Sequence, residues 1–234
     1  EDDRAHIQSL IPAFQDSRYI RINNKPLFLV YRSGLLPDSK ATTDIWREEA
    51  KKAGIDELYL VRVESHHDYT DPTKIGFDAS LDFAPFSGHD FSDSFSNNWV
   101  SALLVKLNLL DKAFCNHKIY DYREAVESRK QRPEPSYKKF HCVSPSWDNT
   151  ARRKSDATIF VDSTPTIYQN WLKSVIDKTK RTFSGEEQIV FINAWNEWAE
   201  GNHLEPDQKW GHAYLQATLN ALSAPFKPRN ALRM

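Results

Sequence analysis

Two glutamates three residues apart, Glu197 and Glu200, punctuate the stretch Trp195-Asn196-Glu197-Trp198-Ala199-Glu200-Gly201. On a helical or tight turn, side chains at that spacing share one side, with Cβ atoms about 5–6 Å apart. Glycosidases use such pairs, with carboxyl groups held about 5–5.5 Å apart in retaining enzymes and about 6.5–9.5 Å in inverting ones. Carboxylates this close repel, so one pKa rises and that group can donate a proton at neutral pH. Trp195 and Trp198 can wall the pair and offer flat faces to a pyranose, and Asn196 can bond a sugar hydroxyl. Gly201 permits a turn closed to residues with a Cβ. The plainer alternative is solvated loop acids beside core tryptophans. Spacing alone does not separate the two readings; the run of residue types favours a site.

Other positions add weaker candidates for substrate contact: Trp147 and Asp148 in Ser146–Arg153, Glu64 at a strand end, and Arg32 beside Tyr31. A structured turn is the alternative for Trp147-Asp148, with Asn149 as its cap. Arg62 is expected to be the ion-pair partner of Glu64. Arg152 and Arg153 read as a solvated basic loop. Glu64-Ser65-His66-His67-Asp68 holds metal-compatible side chains, but adjacent histidines do not share a helix face, so a polar loop is the better reading and no metal is expected. No Ser-His-Asp or Cys-His signature is present, and no cofactor is implied.

The elements that must position these residues follow a pattern of short apolar strand, polar end, then helix. Strands are expected at Lys25–Arg32, Glu57–Ser65, Lys139–Asn149 and Gln188–Trp195, a weaker one at Phe77–Pro85, and a short one before the helix of the Lys118–Gln131 stretch. Helices are expected at Asp2–Phe14, Thr42–Gly54, Asn97–Leu110, Thr164–Lys180 and Trp210–Leu222. Continuous apolar strands separated by helices indicate a parallel sheet covered by helices. No glycine-rich phosphate loop follows a strand, and glycine is scarce at seven residues, which counts against a nucleotide-binding open sheet. The polar clusters stand instead at strand C-termini, where a (β/α)8 TIM barrel keeps its active site. About five strands are convincing, and the first residues already read as a helix. The expectation is α/β, TIM-barrel-like, the C-terminal five βα units of a glycosidase-type barrel spanning residues 1–225, with 226–234 as a tail.

Composition bounds the partners. The formal net charge is −1, so no basic excess argues for nucleic acid. No apolar run approaches the roughly 20 residues of a membrane span. Cys115 and Cys142 are expected to be free thiols in a reducing, cytoplasmic compartment.

Taken together, Lys25–Gly54, Tyr59–Ser65, Ser144–Arg153 and Phe191–Ala217 resemble the WbsX-type glycosyltransferase family, associated with lipopolysaccharide and O-antigen biosynthesis. The resemblance runs through nearly the whole chain and implies a glycosidase-type barrel whose first three strands lie in a further N-terminal stretch. A missing barrel portion, or another chain at the open sheet edge, would then be a partner. Asn196–Gly201 is also similar to a motif of endo-α-mannosidases. There one glutamate acts on the sugar 2-hydroxyl and the other is the general acid; carried over, they are Glu197 and Glu200, the assignment between them open. A histidine of that motif is Ala199 here. The function implied is a glycosyltransferase or glycoside hydrolase acting on an oligosaccharide or polysaccharide. Alternatives are a non-catalytic glycan-binding module and an endo-glycoside hydrolase outside biosynthesis.

Overall fold

The computed structural model describes residues 1–65, 68–85 and 99–226. Its helices are α1 (Asp2–Gln15), α2 (Ser39–Lys52), α3 (Trp99–Lys106), α4 (Ala113–Asn116), α5 (Tyr122–Lys130), α6 (Pro165–Thr182) and α7 (Ala213–Ser223). Its strands are β1 (Arg21–Ile22), β2 (Lys25–Val30), β3 (Tyr59–Glu64), β4 (Ala79–Asp82), β5 (Lys118–Asp121), β6 (Lys139–Val143), β7 (Thr158–Val161), β8 (Val190–Ile192), β9 (Asn196–Glu197) and β10 (Asn202–His203). The chain divides into two compact units: residues 1–83, 134–141 and 183–189 form one, the rest the other.

In the first unit β2, β3, β4 and the start of β6 lie side by side in chain order, each pair parallel, with β1 antiparallel on the outer edge of β2. β3 and β4 are buried along their whole length. That explains the weak signal of β4: Ser80 and Asp82 alternate with apolar residues, yet both faces are covered. α1 and α2 cover a core of Ile7, Phe14, Trp46, Leu58 and Leu60, in which Phe28 packs edge-on to Phe14 and Trp46. α2 begins at Ser39, three residues before the expected start, because Asp38 caps it by accepting the Ala41 N–H at 2.9 Å. Gly54 follows its end at φ 82°, a left-handed conformation suited to glycine.

In the second unit α6 is the longest helix and buries Tyr168, Trp171, Leu172, Val175 and Ile176, the face expected from its periodicity. α7 packs beside it: Tyr168 and Tyr214 meet edge-on at 5.6 Å, and the Tyr168 hydroxyl lies 3.1 Å from Thr218 Oγ1. α7 starts at Ala213, and Leu222, expected on its apolar face, is 61% exposed while Ala221 is buried. β5 pairs with β7 in a separate parallel ladder, Lys118 opposite Thr158 through Asp121 opposite Val161. Sequence reading missed β7, a four-residue run that directly follows a charged, exposed loop. β8 follows the end of β6, where the Asn193 N–H donates to Val143 O at 2.9 Å. Cys115 and Cys142 are free thiols. Among the described residues no helix is long and apolar enough to cross a membrane.

Candidate active site

The glutamate pair sits on a short hairpin that grows out of β8 in the second unit. The Asn193–Ala194 peptide is cis, and the Asn193 side-chain amide donates to Ala84 O at 2.8 Å. Trp195 O then accepts the N–H groups of Leu204 (2.9 Å) and Glu205 (3.2 Å), closing the hairpin base. β9 and β10 pair antiparallel, with Asn196 opposite His203 and Glu197 opposite Asn202. Between them a 3₁₀ turn, Trp198–Glu200, ends at Gly201, whose φ is 54°. Glu197 is therefore the last strand residue and Glu200 the last turn residue. The three-residue spacing brings them together through a tight turn, not an α-helix.

The loop after β6 docks on this hairpin. Asp148 N–H donates to Glu200 O at 2.8 Å, the Ser146 hydroxyl donates to Gly201 O, and the Ser144 hydroxyl donates to Asn202 Oδ1 at 3.0 Å. Asp148 Oδ1 accepts the Thr150 N–H at 2.9 Å and its hydroxyl at 2.7 Å, and Asn149 Oδ1 accepts the Thr158 N–H at 2.8 Å. This is the structured-turn alternative. It delivers Arg152 to the glutamates: Nη2 lies 2.7 Å from Glu197 Oε1 and Nη1 3.3 Å from Glu200 Oε1. Sequence reading left Arg152 as solvated, because its partners lie more than forty residues on and nothing local points to them.

Burial pushes the Glu200 pKa above the ordinary carboxylate value. The Arg152 charge opposes that shift, the Glu197 charge adds to it and Arg153 opposes it, and the balance stays upward. Glu200 thus holds its proton to higher pH than an ordinary glutamate.

Trp198 is fixed on both its ring and its nitrogen. The ring stacks on His203 with centroids 3.7 Å apart and planes 16° off parallel, and Nε1–H donates to Glu205 Oε2 at 2.6 Å. His203 Nε2 is in turn 3.2 Å from Asp207 Oδ2, a support that sequence reading also missed. Trp195 and Trp198 remain 54% and 49% exposed, and Asn196 is exposed too. Trp147 differs: at 5% exposure its ring has no open face for a sugar, whereas the adjacent Asp148 is exposed.

Glu64 and Arg32 belong to the first unit. Glu64 ends β3 opposite Asp82 at the end of β4 and is 1% exposed. Its Oε1 accepts the hydroxyls of Ser80 (2.9 Å) and Tyr137 (2.7 Å), and Lys139 Nζ stands 3.8 Å from Oε2. The expected Arg62–Glu64 pair is replaced by another: Arg62 Nη2 contacts Asp68 Oδ2 at 2.6 Å, because Arg62 reaches the segment after β3. Arg32, just past β2, lines a pocket of about 90 Å³ with Ser33, Gly34, Leu35, Val63, Ser65 and Asp68. His66 and His67 lie outside the described residues, and among those described no cluster of three acidic, histidine or cysteine side chains is placed to hold a metal.

Gly201 is the hairpin's most constrained point. A Cβ there would stand 3.1–3.2 Å from the O, Cβ and N of Asp148, in a left-handed conformation. Gly201→Ala should cost about 1–3 kcal/mol of stability and depress turnover further by moving Glu200. Thermal denaturation and turnover of the variant check both effects.

A model of the family described as glycosyltransferase WbsX matches residues 1–218. Two relatives, both titled uncharacterized protein WxcX, come from Xanthomonas campestris pv. campestris strains B100 and ATCC 33913. Each is 34% identical over 223 residues, 95% of this chain and 30% of the relative. The chain therefore spans less than a third of the length of these relatives. Among solved structures, a glycoside hydrolase-like protein matches with a TM-score of 0.60 at 16% identity, over 97% of this chain and 62% of that one. That likeness shows the fold, part of a glycosidase-like (β/α) barrel.

Proposed function

Because the chain belongs to the WbsX glycosyltransferase family, we propose that it carries the carboxylate pair of a carbohydrate-active enzyme that breaks and remakes glycosidic bonds. The observation that carries this reading is one guanidinium bridging two carboxylates, one of which has a raised pKa, on a hairpin flanked by exposed tryptophans. Glu200 is the proton donor: its proton passes to the glycosidic oxygen as the bond from that oxygen to the anomeric carbon breaks. Glu197 supplies the negative charge that stabilises the oxocarbenium-like centre. An acceptor oxygen, from water or a sugar hydroxyl, then bonds to the anomeric carbon and passes its proton to the now ionised Glu200, which restores the starting state. Trp195, Trp198 and Asn196 line the cleft, with Asp148 at its margin. The substrate class that the family suggests is a cell-surface polysaccharide such as lipopolysaccharide O-antigen.

The exposed rings of Trp195 and Trp198 would serve a non-catalytic glycan-binding module equally well. The two readings part when the intact protein is incubated with O-antigen polysaccharide in ¹⁸O-water and the products are weighed by mass spectrometry. Redistributed chain lengths are expected; ¹⁸O in new reducing ends marks hydrolysis, and its absence marks transfer. Saccharide binding in calorimetry with every chain length unchanged would favour the module and overturn the enzyme reading.

A further inference from the structure

The two glutamates share a partner that neither the spacing nor the family likeness called for. Arg152 presents a planar fork whose two terminal nitrogens sit on one carbon, so oxygens bonded to them are held side by side. Here one nitrogen takes Glu197 at 2.7 Å and the other Glu200 at 3.3 Å. The contact is unequal, and the closer carboxylate is on the strand. Arg152 is itself anchored: its N–H donates to Asn149 O at 3.0 Å, and its loop is tied to Glu200 by the Asp148 N–H at 2.8 Å. The same backbone segment thus fixes both the guanidinium and the residue it clamps.

Other charged groups near the hairpin do not bridge the pair. Arg153 Nη1 donates to Asp156 O at 3.4 Å, Glu205 accepts the Trp198 indole, and His203 lies 3.2 Å from Asp207. Asp148 spends one carboxylate oxygen on Thr150.

We propose that Arg152 is the positioning residue of this site: its fork holds the carboxylates of Glu197 and Glu200 in register on one guanidinium, with Glu197 the closer of the two. The proposal rests on the reading of Glu197 and Glu200 as the reacting pair. It predicts that a point charge in place of the fork is not enough, because one ammonium cannot present two fixed nitrogens to two carboxylates.

The test uses the intact protein with ¹³C-carboxyl-labelled glutamate, the two resonances being assigned with Glu197→Gln and Glu200→Gln. Wild type, Arg152→Gln and Arg152→Lys are titrated by NMR, and their pH profiles of O-antigen polysaccharide turnover are recorded. In Arg152→Gln the loss of the cation, which opposes the upward shift of Glu200, should move the Glu200 titration to still higher pH, with the alkaline limb of the turnover profile following. Arg152→Lys should restore much of the titration but little of the turnover. A wild-type Glu200 titration and alkaline limb in Arg152→Gln, with Glu200→Gln inactive, would overturn the proposal and leave the pair intact. Full turnover in Glu200→Gln would remove the pair itself, and with it any catalytic purpose for the clamp, even if the NMR titration still moved.

Discussion

Glu200→Gln lowers glycan turnover by about 10²–10⁴-fold, the range general acid catalysis supplies, while leaving the fold intact. The amide is nearly the size of the carboxyl but has no proton to give. The position is suited to this experiment because Glu200 reaches its neighbours through its backbone as well. Its carbonyl accepts the Asp148 N–H at 2.8 Å, a bond the substitution retains. The pH dependence gives a second signature. Because burial raises the Glu200 pKa, the donor remains protonated at a pH where an ordinary glutamate is ionised, and turnover falls as pH rises through that raised value. Glu200→Gln should abolish that alkaline limb along with most of the rate. Glu197→Gln should lose a comparable share of turnover, since the amide carries no negative charge to stabilise the oxocarbenium-like centre. Turnover against pH for both variants, with melting temperature as the control, decides the matter. Wild-type rates in either variant would end this account of the chemistry.

The largest expected loss of stability lies in the first unit. Arg62 is 0% exposed in the middle of β3, a place where a charge is tolerated only with partners. It has them: Nη2 contacts Asp68 Oδ2 at 2.6 Å and donates to Asp68 O at 3.0 Å, while Nη1 donates to Thr70 O. One side chain therefore pins the segment after β3 to the sheet. Arg62→Ala removes these bonds, leaves two backbone carbonyls and a carboxylate without their partner, and opens a cavity. Breaking a buried pair in this way costs about 3–5 kcal/mol. Asp68 is 33% exposed, so water recovers part of its charge, and about 3 kcal/mol is the expected figure. For a chain of this size that lowers the melting temperature by on the order of 10 °C. Arg18→Ala, at an exposed pair with Asp16, should leave the melting temperature nearly unchanged. The contrast also has a pH sign. Burial alone would raise the Asp68 pKa, but the Thr70 and Arg62 contacts outweigh it and hold it below the usual value. A depressed carboxylate pKa stabilises the fold above the unfolded pKa of about 3.9, and that share is lost as pH falls through the folded value. The difference between wild type and Arg62→Ala should therefore narrow in acid. Equal melting temperatures at neutral pH would show that Arg62 does not hold this segment.

Much of this protein is determined by local pattern. Helix periodicity placed the buried face of α6 residue by residue, and the continuous apolar runs placed β2, β3 and β6, because burial on one or both faces writes a repeat into adjacent residues. The glutamate pair and the turn at Gly201 were legible because two glutamates, two tryptophans and a turn glycine are supplied by seven consecutive residues, but the β9–β10 hairpin that carries them was not expected. Boundaries were less so. Asp38, not a residue inside the expected helix, caps α2, and β7 is too short to stand out from the charged loop before it.

What the tertiary structure decided is which side chains answer one another across long stretches of chain. Arg62 left its sequence neighbour Glu64 for Asp68, and Glu64 took the hydroxyls of Ser80 and Tyr137. Trp147, a candidate sugar platform by residue type, is buried, and its carbonyl is tied to β7 by the Phe160 N–H. Arg152 reached the glutamates because Asp148 and Ser146 tie its loop to the turn that carries them. An ion pair or a buried ring depends on distances between elements, and those are set by packing and strand register rather than by any residue's immediate neighbours.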